Sequence, residues 1–254
     1  MCVGSAVLAA FGGFLRWLQN QASYEAETGL AVRGSIWPIA AAIWLVVGAI
    51  YFAAVVSRIQ GKGRVRLPLK FADAFRPEHV LIPAASLVCG LVMLVGGALL
   101  VLRTPLDEPQ RKLLQVLGGI AILTGVSFPL YLLRAGEEDP PSVVRTVLGT
   151  LPIALFAFWL IVSYKMHIVD PTVSKYAVEI ITISAAAVAF FRMAGFVFES
   201  PKPGRALFWG SWAAFLCMMS LSDSRYFSEQ LLLASAAGML LLQVWLICSH
   251  GEKQ

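Results

Sequence analysis

The chain has 254 residues, of which 58% are hydrophobic and only 14% are charged, and its mean hydropathy is +0.76. These values lie well away from those of soluble domains, so they exclude a mainly water-soluble protein and indicate that the bilayer is its solvent. The formal net charge of +5 comes mostly from one connector. It indicates attraction to anionic lipid and argues against binding to nucleic acid.

The first apolar run covers residues 1–15, which is short for a membrane-spanning helix. It reaches full length if the Arg16 side chain snorkels to the membrane surface and Trp17 lies at the interface. A cleavable signal peptide is the alternative interpretation, supported by small residues such as Gly12 and Gly13. Because the run lacks the basic segment that begins such peptides, we interpret it as a retained helix.

Seven further apolar runs follow in chain order. Five of them carry no charged residue and meet the length of about 20 residues that a helix needs to cross the hydrocarbon core. These five are 36–57, 80–102, 113–133, 146–164 and 230–249. The run 176–198 is long enough but contains Glu179 and Arg192, and the run 206–222 is slightly short. The sequence therefore predicts one all-α polytopic transmembrane bundle over residues 1–254, with eight spans, or with seven as the alternative.

The connector between the second and third runs is the most basic segment of the chain. Its basic residues are Arg58, Lys62, Arg64, Arg66, Lys70 and Arg76. Because cytoplasmic connectors keep an excess of Lys and Arg, this segment is predicted to be cytoplasmic. With eight alternating spans, both termini are then predicted to be cytoplasmic as well. We expect the first five of these residues to contact membrane lipids, especially anionic headgroups.

Two prolines interrupt predicted spans. Pro129 and Pro152 lie inside the fourth and fifth runs, where proline removes a helical hydrogen bond and bends the helix. The hydroxyls of Ser127 and Thr150 are expected to bond to the carbonyls that the prolines release. We favour static bends, and a hinge is the alternative hypothesis.

The sixth predicted span carries the clearest polar exceptions, Glu179 and Arg192. A charged residue at the membrane centre costs on the order of 2.5 to 3.5 kcal/mol on insertion scales, so such residues usually face the bundle interior and have a partner. The two side chains are about 20 Å apart along the helix and cannot be each other's partner. Each is therefore expected to find a partner on another helix.

Glu179 is predicted to lie about two turns inside the external end, at the depth of other polar residues. The candidate ligand-binding pocket consists of Glu179, Lys165, Tyr164, Thr182 and Asp223. Because Lys165 is long enough to reach Glu179, a structural ion pair between them is the alternative to a ligand, ion or proton site.

Arg192 lies toward the predicted cytoplasmic end, at a depth similar to that of Gln243. We expect its guanidinium to contact the inner leaflet, with an interfacial anchor as the simplest interpretation. A ligand, ion or proton role is the alternative.

Motifs of familiar chemistry are absent from the sequence. It contains no H-E-x-x-H, no G-x-S-x-G and no pair of C-x-x-C motifs, and its three histidines are spread over different connectors and ends. We therefore expect no metal and no cofactor, and a non-enzymatic role is favoured. A membrane-embedded lipid enzyme is the third possibility, although no nucleophile is convincingly placed.

The last quarter of the chain resembles a known group of proteins. The stretch 194–198, followed by Pro201, Pro203 and Arg205 and then by 217–223, is similar to the late-helix pattern of small, uncharacterised bacterial polytopic membrane proteins. The acidic turn at residues 25–30 is a second match. The resemblance implies a bacterial inner-membrane location and gives no activity or substrate.

Two classes of function remain open from the sequence. The first is small-molecule or ion transport, or ligand sensing, through an outward-facing polar pocket. The second is a non-catalytic membrane component that assembles with a partner protein, with another copy of itself or with anionic lipid. In the second class the same polar residues would be paired with one another and would enclose no cavity.

Overall fold

The computed structural model describes residues 1–25, 30–32, 34–61, 65–77, 79–104, 110–136, 143–168, 173–223 and 226–253. The α-helices within these ranges are α1 (Cys2–Ala22), α2 (Trp37–Gln60), α3 (Phe71–Phe75), α4 (Leu81–Arg103), α5 (Arg111–Leu133), α6 (Val143–His167), α7 (Val173–Ala194), α8 (Pro203–Met219) and α9 (Phe227–Ser249). Single 3-10 turns cover Arg134–Gly136 and Ser220–Ser222. The short strand β1 (Val65–Arg66) pairs antiparallel with β2 (Glu252–Lys253).

The predicted all-α membrane bundle is confirmed. Within the described ranges, seven helices are long and apolar enough to cross a membrane: α1, α2, α4, α5, α6, α9 and the segment Lys175–Ala194 of α7. The predicted short span is α8, whose 17 residues extend about 26 Å at 1.5 Å per residue. It packs against α1, α2, α7 and α9, and most of its side chains are buried. This is the architecture of a multi-pass membrane protein.

The long helices leave the two chain termini at the same end of the bundle. The Met1 sulfur lies 3.9 Å from the Cys248 sulfur, and Gly204 at the start of α8 packs against Gln60 at the end of α2. We call this end, which also holds β1, β2 and α3, the basic end. The opposite end holds the end of α1, the start of α7 and Asp223, and we call it the Asp223 end.

Helices α4 and α5 approach each other at backbone distance. A methyl group added at Gly118 would lie 2.6 Å from the Gly97 carbonyl oxygen, and one added at Gly90 would lie 2.5 Å from the Gly125 carbonyl oxygen. Each helix therefore presents two glycines seven residues apart to the glycines of the other. Such close approach suits a membrane, where helices associate by packing because lipid offers no hydrophobic drive for it.

The prolines lie inside α5 and α6, as predicted. The expected roles of the neighbouring hydroxyls were wrong. Proline at position 129 leaves the Gly125 carbonyl without its usual helical donor, whereas the Ser127 hydroxyl donates to the Thr124 carbonyl at 2.7 Å. The Gly125 carbonyl instead faces Gly90 of α4. The helical hydrogen bond that Pro129 removes therefore lies at the contact between α4 and α5.

The basic connector contains a short buried helix, α3, which its many charged residues gave no reason to predict. Phe71 and Phe75, one turn apart in α3, are both buried and contact the Tyr131 ring at centroid distances of 5.0 and 5.8 Å. Phe75 also meets the Phe196 ring, and the Arg145 guanidinium lies 5.0 Å from the Phe71 centroid. Part of the connector is therefore an aromatic helix that packs against the basic end.

Candidate functional site

Glu179 lies between α6 and α7 near the Asp223 end, and it is only 8% exposed. The Ser163 hydroxyl donates a hydrogen bond to Glu179 Oε1 at 2.8 Å, and His167 Nε2 lies 3.7 Å from Glu179 Oε2. The His167 ring stacks on the Tyr176 ring with 3.4 Å between centroids.

Helical spacing explains why these side chains meet. Ser163 and His167 are four residues apart on α6, and Tyr176 and Glu179 are three apart on α7, so each pair shares one helix face. A short connector follows His167, which makes α6 and α7 antiparallel neighbours. The last turn of α6 therefore lies against the first turns of α7.

Arg16 forms a second polar cluster at the same end. It is only 2% exposed, and its Nε lies 2.5 Å from Asp223 Oδ1. Its Nη1 donates to Gln19 Oε1 at 2.8 Å and its Nη2 to the Lys175 carbonyl at 2.7 Å. Asn20 Nδ2 donates to the same Asp223 oxygen at 3.2 Å. One guanidinium thus joins α1, α7 and the turn after α8.

The two clusters are connected through α7. Lys175, whose carbonyl accepts from Arg16, immediately precedes Tyr176, and its Nζ lies 5.8 Å from the Tyr24 ring centroid. One turn beyond Glu179, the Thr182 hydroxyl lies 2.9 Å from the Ser220 hydroxyl of the 3-10 turn. Together these side chains form a polar layer, by which we mean Arg16, Gln19, Asn20, Ser163, His167, Lys175, Glu179, Thr182, Ser220 and Asp223.

The predicted pocket residues divide into two groups. Glu179, Thr182 and Asp223 are buried in the polar layer, whereas Tyr164 is 62% exposed and Lys165 is also exposed on α6. The structure does not pair Glu179 with Lys165. Successive residues are 100° apart around a helix, so residues 164 and 165 leave the face on which residues 163 and 167 meet α7.

The expectation that Arg16 snorkels was wrong. Its side chain points into the bundle and bonds to Asp223 instead of reaching the membrane surface. A signal was present in the sequence, because Gln19 and Asn20 follow three and four residues later and place polar groups on the same helix face. His167 was also missed as a contact of Glu179, although it lies four residues after Ser163.

The predicted lipid-contact residues are less fully described. Arg58 and Lys70 are exposed at the basic end. Lys62 and Arg64 lie outside the described residues, as does the side chain of Arg66. Arg192 is half-buried, with its guanidinium 5.8 Å from the Phe191 ring centroid, and its Nε has no hydrogen-bond partner in the described part of the chain.

The polar layer contains one ion pair and one histidine beside a carboxyl group. Its basic side chains Arg16 and Lys175 equal in number its acidic side chains Glu179 and Asp223. Among the described residues, no group of three His, Cys, Asp or Glu side chains could hold a metal ion.

Comparison with known proteins gives no relative for this chain. No family model, no curated protein and no solved structure matches it.

Proposed function

We propose that this chain is a proton-responsive sensing bundle, in which the His167–Glu179 pair is the site of response. The single observation that supports the proposal is the position of that pair between α6 and α7. The polar groups around it bond to one another. A ligand that acts here must therefore require little space, and a proton requires none.

The separation of the pair supports one direction for the response. Histidine titrates near pH 6.5, so its charge changes within the physiological range. The separation of 3.7 Å between His167 Nε2 and Glu179 Oε2 is longer than a hydrogen bond. When the imidazole takes up a proton, its attraction to the carboxylate draws α6 toward α7. The pair is therefore tighter at low pH.

Neighbouring charges affect this pair from several helices. Lys175 of α7 lies beside Tyr176, and Lys165 of α6 is exposed two residues before His167. Arg16 of α1 and Asp223 after α8 neutralise each other at 2.5 Å. The His167 ring itself has a charged contact with the Glu179 carboxyl group, at 3.7 Å.

Replacement of His167 by Gln tests the proposal. A stabilising imidazolium–carboxylate pair is fully present below about pH 6.5 and is lost as the pH rises above it. We expect the wild-type free energy of unfolding to be about 1 kcal/mol higher at pH 5.5 than at pH 8 because of this pair. In H167Q this difference between the two pH values should disappear. Equilibrium unfolding in nanodiscs at the two pH values measures it.

Hydrogen exchange separates sensing from a merely local pair. Because Arg16 binds the Lys175 carbonyl, a shift of α7 should also change exchange in the last turns of α1. Because intrinsic amide exchange itself slows at low pH, the readout is the protection factor. We expect protection there to rise at low pH in wild type and in the control H79Q, whose histidine is exposed at the other end of the bundle. An unchanged pH profile in H167Q, or a pH effect confined to α6 and α7, would reject the proposed function.

Assembly is the second candidate function, and the exposed Arg58, Lys70 and Arg76 at the basic end support it. Each basic side chain near an anionic leaflet contributes about 1 kcal/mol. In this proposal the basic end contacts anionic lipid or an acidic partner protein, and the resemblance of the last quarter of the chain supports a bacterial inner membrane as its location. Loss of stabilisation by anionic nanodiscs when all three are changed to Gln would support it.

A further inference from the structure

A cavity at the Asp223 end lies between the end of α4 and the start of α9, and none of the described residues that line it belongs to the polar layer. Its volume is about 160 Å³. The residues that line it include Leu99, Leu100, Arg103, Thr104, Phe227 and Ser228. A mainly apolar cavity of about 150 Å³ is large enough for a benzene-sized group. This cavity therefore has room for several carbon atoms of a ligand.

The cavity wall includes a serine hydroxyl that has no partner among the described residues. Ser228 is only 8% exposed, and its hydroxyl makes no hydrogen bond within the described part of the chain. The hydroxyl is not among the fully enclosed side-chain atoms that lack a partner, so it remains accessible at the cavity wall. A hydroxyl that lines a cavity and has no protein partner among the described residues is available to donate to a ligand atom in that cavity.

The start of α9 adds hydrogen-bond donors beside this hydroxyl. The amides of Glu229 and Gln230 bond to the Tyr226 carbonyl, whereas those of Phe227 and Ser228 have no backbone acceptor among the described residues. Free amides at a helix start carry partial positive charge and favour anions. Glu229 in the same turn is buried and has an interaction of its own.

The cavity also has one cationic group and an aromatic rim. Arg103 is exposed in the last turn of α4, and the Thr104 hydroxyl is already bonded to the Leu100 carbonyl. The Tyr226 and Phe227 rings are exposed beside it, in the position that aromatic residues favour at a membrane interface. A cationic side chain, Arg103, beside the apolar side chains Leu99 and Leu100 is suited to an amphiphile with an anionic headgroup.

We propose that this cavity binds an anionic phospholipid. Its phosphate accepts hydrogen bonds from Arg103, from the Ser228 hydroxyl and from the first amides of α9. The first carbons of one acyl chain lie on Leu99 and Leu100. Inorganic phosphate lacks the apolar part, and a zwitterionic phospholipid brings a second cation toward Arg103. Both should therefore bind more weakly.

Titration of the purified full-length chain in maltoside micelles with dioctanoyl phosphatidylglycerol tests the proposal, with thermal stability as the readout. We expect an R103Q variant to bind about tenfold more weakly, as for loss of one charge-assisted contact. The matched control is K112Q, which removes an exposed cation at the same end that does not line the cavity. K112Q should bind like wild type.

A second pair of variants tests the apolar part. L99W fills the cavity without altering charge, whereas L102W places the same ring on a side chain that is 78% exposed and outside the cavity. We expect L99W to lose at least tenfold in affinity and L102W to keep it. If L99W does not fold, the comparison of R103Q with K112Q still decides.

Three outcomes would overturn the proposal. The first is that dioctanoyl phosphatidylcholine binds as tightly as dioctanoyl phosphatidylglycerol. The second is that R103Q and K112Q lose the same affinity. Either result would show that Arg103 does not select the anionic headgroup. The third is inorganic phosphate that competes at the same concentration as the lipid, because the cavity would then be a simple anion site. None of these outcomes depends on His167.

Discussion

Replacement of Arg16 by Leu is expected to lower the free energy of unfolding by about 3 to 5 kcal/mol, because it leaves the Asp223 carboxylate buried without its guanidinium. The same change removes the donors to Gln19 and to the Lys175 carbonyl. R16K should lose part of this energy, since one ammonium cannot reproduce the planar fork that contacts three acceptors. Equilibrium unfolding in mixed micelles measures all three proteins.

The double variant R16L/D223L is the control for this prediction. Removing both charges eliminates the unpaired carboxylate, and a buried ion pair replaced by apolar side chains is often neutral in stability. We therefore expect the double variant to be more stable than R16L alone. A free energy of unfolding for R16L within 0.5 kcal/mol of wild type, on the order of the effect of ordinary surface changes, would show that the Arg16–Asp223 pair does not hold the Asp223 end together.

Replacement of Gly118 by Ala is expected to destabilise the bundle by about 1 to 3 kcal/mol. The added methyl group would lie 2.6 Å from the Gly97 carbonyl oxygen, so α4 and α5 must separate, as in other overpacked contacts. Thermal and equilibrium unfolding should show the loss. The same effect is expected for Gly97, where the added carbon would lie 2.7 Å from the Gly118 carbonyl oxygen.

The neighbouring Gly119 provides a matched control on the same helix. A methyl group added there meets no described atom within 4 Å. G119A should therefore be neutral or stabilising by up to about 1 kcal/mol through the higher helix propensity of alanine. Equal destabilisation by G118A and G119A would mean that helix propensity, and not the α4–α5 contact, determines the result.

The membrane bundle could be predicted from the sequence because the bilayer imposes a length on every span. Uncharged runs such as 80–102 and 113–133 leave no other stable structure in hydrocarbon, and they became α4 and α5. Helix α3 could not be predicted in the same way. Its two phenylalanines lie among basic residues, and their burial depends on Tyr131 and Phe196, which are distant in sequence.

The depth of the polar-layer residues could be predicted from the sequence, but the direction in which each side chain faces could not. Depth follows from counting residues, so Glu179, Thr182 and Asp223 were expected at one end and are found there. Facing direction depends on which helices are neighbours. A shift of one or two residues along a helix rotates the side chain by 100° or 200°. Lys165 was therefore predicted to contact Glu179, whereas Ser163 and His167 make that contact.

Arg16 shows why charges near the end of a run are ambiguous. A long cationic side chain satisfies its charge equally well by snorkelling or by pairing inside the bundle. The choice depends on a carboxylate more than 200 residues away, Asp223. The polar residues Gln19 and Asn20 beside Arg16 were the local sign that this helix face turns inward.

The Asp223 end and the basic end are expected to lie on opposite sides of a membrane. Impermeant thiol labelling of intact cells measures this orientation in a chain whose four cysteines are replaced by Ala. We expect Glu25→Cys, exposed at the Asp223 end, to be labelled from outside, and Arg76→Cys, exposed at the basic end, to be labelled only after permeabilisation. Labelling of both positions from the same side would show that the two ends do not face opposite sides of the membrane.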